Sequence, residues 1–254
     1  KAFYFEWLFA GHPDLERLHY LDPDIGVYHA LDALDEGLAR SAVLLTPHHL
    51  TPIPLDGRFP GENLCLNHGL YNLGYLGLRR GAAAARLLGW WRERMREQCV
   101  INLREGWFVD QLWFNLVPLY FDEVGLFRHP GANVAFWNLH ERRLADSRTV
   151  EFGGEHFPLL FFHFSGFSPR APLEITRVAV RQGAAEQPAL RELLPAYAAR
   201  LQARGWDAAH GRESVYTALH NAHVRSLERR SLWRTLVRGA RQSIPEPVKR
   251  LLRG

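Results

Sequence analysis

The chain has 254 residues, of which 47% are hydrophobic and 23% charged, an ordinary globular composition long enough for one large domain or a domain with an appendage. No stretch approaches the roughly 20 apolar residues of a transmembrane helix, no leader is recognisable at the Lys1 start, and Cys65 and Cys99 have neither zinc spacing nor a disulfide pattern. Both cysteines are expected to be small buried residues, and a reducing cytoplasm is the simplest compartment.

The net charge of +4 is unevenly placed: from Arg225 onward nine basic residues face two acidic ones, which leaves the body slightly acidic.

Ala2 to Ala10 is apolar and aromatic, and His12-Pro13-Asp14 starts a turn. Neither the opening strand nor the crossover helix of a nucleotide-binding α/β domain is visible before Leu18. Leu18 to Leu21 then reads as a short buried strand that stops on Asp22-Pro23-Asp24. Pro23 fixes its own φ and pushes Asp22 towards an extended conformation. Two carboxylates one residue apart at a strand end can converge on one hard cation, Mg²⁺ or Mn²⁺. The open end of a parallel sheet is also where α/β folds bind ligands. Alone, the triplet is better explained by a solvated turn.

Leu31 to Leu38 reads as a short helix or turn, Ser41 to Pro47 as a buried strand ended by proline, and Thr51 to Pro60 as a proline-rich loop. Gly69 to Arg79 is a glycine-rich strand, a sign that a ligand or another backbone comes close. Ala82 to Gln98 is an amphipathic helix. Phe108 to Pro118 has helical apolar spacing and places Gln111 and Asn115 on one face.

Glu123 to Phe127 is a short strand, and Ala132 to Leu139 looks extended. Thr149 to Phe152 and Pro158 to Phe164 read as two strands, with Gly153-Gly154 suited to a hairpin between them. The second delivers His163, a structural histidine or a third ligand beside two carboxylates. After Pro172 the composition turns to amphipathic helices at Ala189–Ala203, Glu213–Leu227 and a basic one at Ser231–Gln242.

The order of these signals resembles the GT-A-fold, metal-dependent nucleotide-sugar transferases. The residues that carry it are Asp22-Pro23-Asp24, Tyr71-Asn72-Leu73-Gly74, Asp110-Gln111 with Asn115, Trp137-Asn138 and His163-Phe164-Ser165-Gly166. The pattern is most similar to the retaining family that includes glycogenin and bacterial lipopolysaccharide galactosyltransferases, over roughly residues 15–170. The resemblance implies an α/β, Rossmann-like mixed sheet flanked by helices over residues 1–172, and a helical basic extension over 173–254. It implies a divalent metal, Mn²⁺ or Mg²⁺, on Asp22, Asp24 and His163, which bridges the donor's phosphates. Asp22, Asn72, Gly74, Asn115, Gly166 and Arg170 would bind the donor. Asp110 would take a sugar hydroxyl, and Gln111 would stand near the anomeric carbon.

The chain departs from the family in three ways. The family's first strand is not visible before Lys1, which suggests N-terminal truncation and impaired nucleotide binding. Pro169 stands where a phosphate-binding lysine is common, with Arg170 as substitute. Leu112 follows Gln111 where many members have an acid, and the family's acids are also missing around Asn72. The implied activity is transfer of a hexose from a nucleotide-diphosphate sugar, a UDP-sugar first, to a glycan or lipid-linked acceptor, with retention.

The rival expectation is a non-catalytic module of the same fold that binds glycan or a partner protein. No phosphate-binding loop or nucleophile elbow is present, and the basic tail has no nucleic-acid motif. His48, His49, His220 and His223 lack an acid-rich partner set. Leu232, Trp233, Leu236 and Val237 alternate with Arg234, Arg238 and Arg241, a pattern for an interfacial helix on anionic lipid at the inner membrane face.

Overall fold

The computed structural model describes residues 1–177, 180–212, 214–219, 221 and 225. The expected basic helix at 231–242, and with it His220 and His223, lies outside the described residues. In chain order the elements are α1 (Ala2–Gly11), β1 (Arg17–Leu21), β2 (Ile25–Val27), α2 (Asp32–Arg40), β3 (Val43–Pro47), α3 (Glu62–His68), β4 (Tyr71–Arg79) and α4 (Ala82–Glu97). They continue with β5 (Ile101–Asn102), β6 (Trp107–Phe108), a 3-10 turn at Leu112–Leu116, α5 (Val117–Tyr120), β7 (Val124–Leu126), β8 (Arg143–Leu144), β9 (Thr149–Phe152), β10 (Glu155–Pro158), β11 (Phe161–His163), α6 (Leu190–Ala203) and α7 (Trp206–His210).

The class is mixed α/β, as the sequence implies. Four strands form the main sheet in the order β1-β4-β3-β7. β4 runs antiparallel to both β1 and β3, and only β3 and β7 are parallel. The end of β1 that leads to Asp22 therefore borders an antiparallel strand.

Strand alternation sorts the two faces of this sheet. Val43 and Leu45 of β3 join Leu76 and Leu78 of β4 in a core with Ala2 and Phe5 of α1 and Leu87, Leu88 and Trp91 of α4. Leu44 and Tyr75 point the other way, against Leu34 and Leu38 of α2 and Leu160 and Phe161. Buried on both faces, β3 and β4 read as almost continuous apolar runs. Phe161 and Phe162 are core residues.

Several local expectations change. A helix does precede Leu18: α1 is apolar on nearly every side, so no 3.6-residue period marks it. The helix expected over 108–118 is broken. Its first residue belongs to β6, Val109 has φ +40°, and only the 3-10 turn and α5 follow. Residues 132–139 are irregular, tied by Asn138, whose Oδ1 accepts from Ala135 N–H while Nδ2 donates to the carbonyls of His48 and Asn133.

A hairpin does close at Gly153 and Gly154, both at positive φ. Its second strand is Glu155–Pro158, however, and β11 pairs with β2 instead. Cys65 is buried, but Cys99 is exposed.

The described chain divides into two compact units, residues 1–200 and a second from Leu201 onward. Residues 173–200 complete the first unit: α6 buries Leu193, Leu194 and Tyr197, and the Tyr197 ring stacks on Phe164 at 3.6 Å. Among the described residues, no helix is long and apolar enough to cross a membrane.

Candidate functional site

Strand register builds the site. Leu21 pairs with Tyr75, so Asp22 falls beside Gly74, and its N–H donates to the Gly74 carbonyl at 2.7 Å. The chain turns at Pro23 and re-enters as β2, where Ile25 pairs with His163 of β11. His163 therefore lands next to Asp24, with Nε2 3.1 Å from Asp24 Oδ1. One ligand atom each from Asp22, Asp24 and His163 lies within 4.8 Å of the other two. Residues 141 positions apart in sequence thus meet through two antiparallel pairings.

Gly74 makes this meeting sterically feasible. A Cβ at position 74 would stand 2.5 Å from His163 Cε1 and 2.6 Å from Asn72 Oδ1. The close approach read from the glycines of β4 is real, but at Gly74 it is made by the His163 ring rather than by a ligand or another backbone. Trp137 holds the ring edge-on, with centroids 5.2 Å apart.

His163, Asn72 and Gln111 form one network. Asn72 Oδ1 accepts from Gly74 N–H at 3.0 Å and lies 3.1 Å from His163 Nδ1. Asn72 Nδ2 faces His48 Nε2 at 3.2 Å and Gln111 Oε1 at 3.3 Å. Gln111 Oε1 also accepts from Leu73 N–H, and its Nε2 donates to the His68 carbonyl.

These groups line a cleft of about 500 Å³ whose walls include Asp22, Asp24, Asn72, Gln111, His163, Ser165 and Gly166. Phe59, Phe108, Phe136 and Trp137 supply an aromatic side. Trp137 Nε1 is buried there and has no hydrogen-bond partner among the described residues. Gly166 adopts φ +72°, a conformation that favours glycine.

Asp110, Asn115, Gly74 and Arg170 stand outside this lining as described. Asn115 accepts from the Leu70 N–H at 2.7 Å and so anchors the start of β4. Arg170 is exposed. Asp110 meets a residue that sequence reasoning missed: Lys1 Nζ lies 3.1 Å from Asp110 Oδ2 and 3.5 Å from Asp22 Oδ1, and donates to the Leu73 carbonyl. One lysine at the start of an apolar helix has no motif around it. Tyr20, two residues before Asp22 and so on the same face of the strand, donates its hydroxyl to Asp22 Oδ1 at 2.6 Å.

Burial alone would raise the Asp24 carboxyl, but the His163 imidazole outweighs it, with help from a backbone N–H and Lys1, and holds the group below its ordinary range. Burial drives His48 down to about 4, so this imidazole is neutral. Burial, reinforced by the carboxylate of Asp22, raises the Tyr20 phenol and keeps it a donor.

Arg181 was also invisible in the sequence. Its buried guanidinium donates to the Asp56 carboxylate and to the carbonyls of Pro54, Arg58 and Pro60. It thereby clamps the loop that carries Phe59, whose ring stacks on Phe136 with centroids 6.4 Å apart.

The fold and site define a mixed α/β chain with a carboxylate–histidine cluster on a cleft. The chain is 30% identical over 169 residues to the uncharacterized protein YfnF of Bacillus subtilis (strain 168), and 28% identical over 159 residues to YfnD of the same organism. The matched regions take in 66% and 61% of this chain, and 55% and 48% of those proteins. The chain thus spans about half the length of the curated relatives it matches. No protein family and no solved structure matches it.

Proposed function

We propose that the chain is a GT-A-type glycosyltransferase domain that uses a divalent cation and a nucleotide-diphosphate sugar. The observation that carries this reading is the meeting of Asp22, Asp24 and His163 on one cleft wall, beside Gln111. The donor set fits the cation: two carboxylates and one imidazole suit Mn²⁺ or Mg²⁺. With His163 Nδ1 turned to the Asn72 oxygen, the 3.1 Å contact between Nε2 and Asp24 Oδ1 calls for a second proton on the imidazole or a cation between the two atoms.

Asp22, Asp24 and His163 would hold the cation, which supplies charge to stabilise a departing diphosphate. The chain's own groups do the rest. Gln111 lines the cleft, and its Nε2 carries a second N–H besides the one given to the His68 carbonyl. Asp110, paired with Lys1 outside the cleft lining, would orient a sugar hydroxyl, as the resemblance implies. Gly166 leaves room for backbone to approach phosphate, and Arg170 adds positive charge after it. The aromatic side excludes water from the reacting bond. We take transfer to proceed with retention, from a UDP-sugar first, to a glycan or lipid-linked acceptor at the inner face of the cytoplasmic membrane.

The test is release of nucleoside diphosphate from a panel of UDP- and GDP-sugars with Mn²⁺, for the wild-type chain and Asp24→Ala. Metal-dependent release that Asp24→Ala abolishes supports the reading. Metal binding without release, on any donor, points to a non-catalytic glycan- or protein-binding module. Neither binding nor release refutes the proposal.

A further inference from the structure

We infer that Asn72 is a positioning residue that fixes the tautomer and ring orientation of His163, so that Nε2 faces the cation as a lone-pair donor. The inference rests on the metal-site reading above and concerns a role that the sequence pattern placed elsewhere, on the donor sugar.

The argument starts from two backbone N–H groups, which can only donate. Gly74 N–H points at one atom of the Asn72 amide, which must therefore be its oxygen. Leu73 N–H points at one atom of the Gln111 amide and identifies that oxygen in the same way. The Asn72 nitrogen then faces Gln111 Oε1, donor to acceptor, so the two assignments agree. The same nitrogen's second hydrogen faces His48 Nε2, an acceptor on an imidazole that burial keeps neutral.

With Asn72 Oδ1 established as an acceptor, the atom 3.1 Å from it, His163 Nδ1, must carry a proton. The other nitrogen, Nε2, is then the atom free to coordinate, and it is the one that faces Asp24. Both lone pairs and both hydrogens of the Asn72 amide are engaged within the protein, and the side chain is buried. It has no unused group for a sugar hydroxyl.

A hydrogen bond to the non-coordinating nitrogen of a metal-binding histidine orients the ring and raises its basicity, and its loss typically weakens metal affinity 10–100-fold. Asn72→Leu removes the acceptor at similar volume. Asn72→Asp keeps it and serves as the rescue.

The experiment is calorimetric titration of Mn²⁺ into the full wild-type chain and both variants, with a thermal melt of each to confirm folding. It is paired with the imidazole ¹⁵N spectrum of the Mg²⁺-loaded wild type. The expected result is a proton on His163 Nδ1, Mn²⁺ affinity about 10–100-fold weaker in folded Asn72→Leu, and affinity kept or raised in Asn72→Asp. Wild-type affinity in Asn72→Leu, or a proton on Nε2, overturns the inference and leaves the metal site standing. A wild-type chain that binds no Mn²⁺ overturns the metal reading itself, and the inference with it.

Discussion

Gly74→Ala tests the steric basis of the site without assuming any activity. The added methyl would lie 2.5 Å from His163 Cε1, 2.6 Å from Asn72 Oδ1 and 2.7 Å from His163 Nδ1, all closer than real Cβ contacts. The backbone at Gly74 is not in the left-handed region, so the whole cost is steric. The ring has little room to retreat, because Trp137 packs edge-on against it and Asn72 holds Nδ1.

Overpacking of this kind costs about 1–3 kcal/mol, offset by about 0.4–1 kcal/mol because alanine restricts the unfolded chain. A net loss of about 1 kcal/mol would lower Tm by about 2–4 °C in a chain of this size. The control is Gly89→Ala, in the interior of α4, where a methyl meets nothing within 4 Å. That change should stabilise by about 0.5–1 kcal/mol and move Tm the other way. Differential scanning calorimetry on both variants decides the matter. A Gly74→Ala melt at or above wild type would refute the argument that glycine is there to admit His163.

Three further outcomes are expected. Glu141 and Arg142 form a buried ion pair, and the carboxylate also accepts from the N–H groups of Leu50 and Thr51. Glu141→Ala, which strands Arg142, should therefore cost about 3–5 kcal/mol in urea denaturation, and a loss under about 1 kcal/mol would show the pair to be dispensable. Burial drives His48 from its ordinary value near 6.5 to about 4, so the unfolded chain takes up this proton first. Stability should be full above about pH 6.5, fall by about 3 kcal/mol as pH drops to about 4, and change no further from this group below that; a His48→Gln chain with the same acid profile would contradict this. Arg181→Leu frees the carbonyl of Arg58 and its neighbours, so trypsin should cut after Arg58 about tenfold faster, whereas an unchanged rate would mean the loop holds itself.

The candidate site was half legible. Asp22, Asp24, Gln111 and His163 could be named from residue type and order, since carboxylates, amide and imidazole carry their chemistry wherever they lie. For Asn72 the sequence shows an amide near a glycine, and only the fold shows His163 lying over both. Asn115 shares a helical face with Gln111 in the sequence pattern, but the 3-10 turn directs it to the Leu70 N–H. Lys1 and Arg181 gave no signal, because what they touch lies far along the chain: Lys1 reaches Asp110 and Arg181 reaches Pro54.

The amino-acid sequence by itself determined the elements whose signal is local. The apolar runs of β3 and β4, the 3.6-residue period of α4, the hairpin glycines and the acidic turn are set by neighbours a few residues away. Tertiary structure decided which strand lies beside which, and hence that Asp24 meets His163 through the pairing of β2 with β11 rather than through any nearby residue. It also decided that residues 173–200 complete the first unit. Side-chain hydrogen bonds and ring contacts depend on distance in space, and strand pairing fixes that distance between segments whose separate sequences do not encode it.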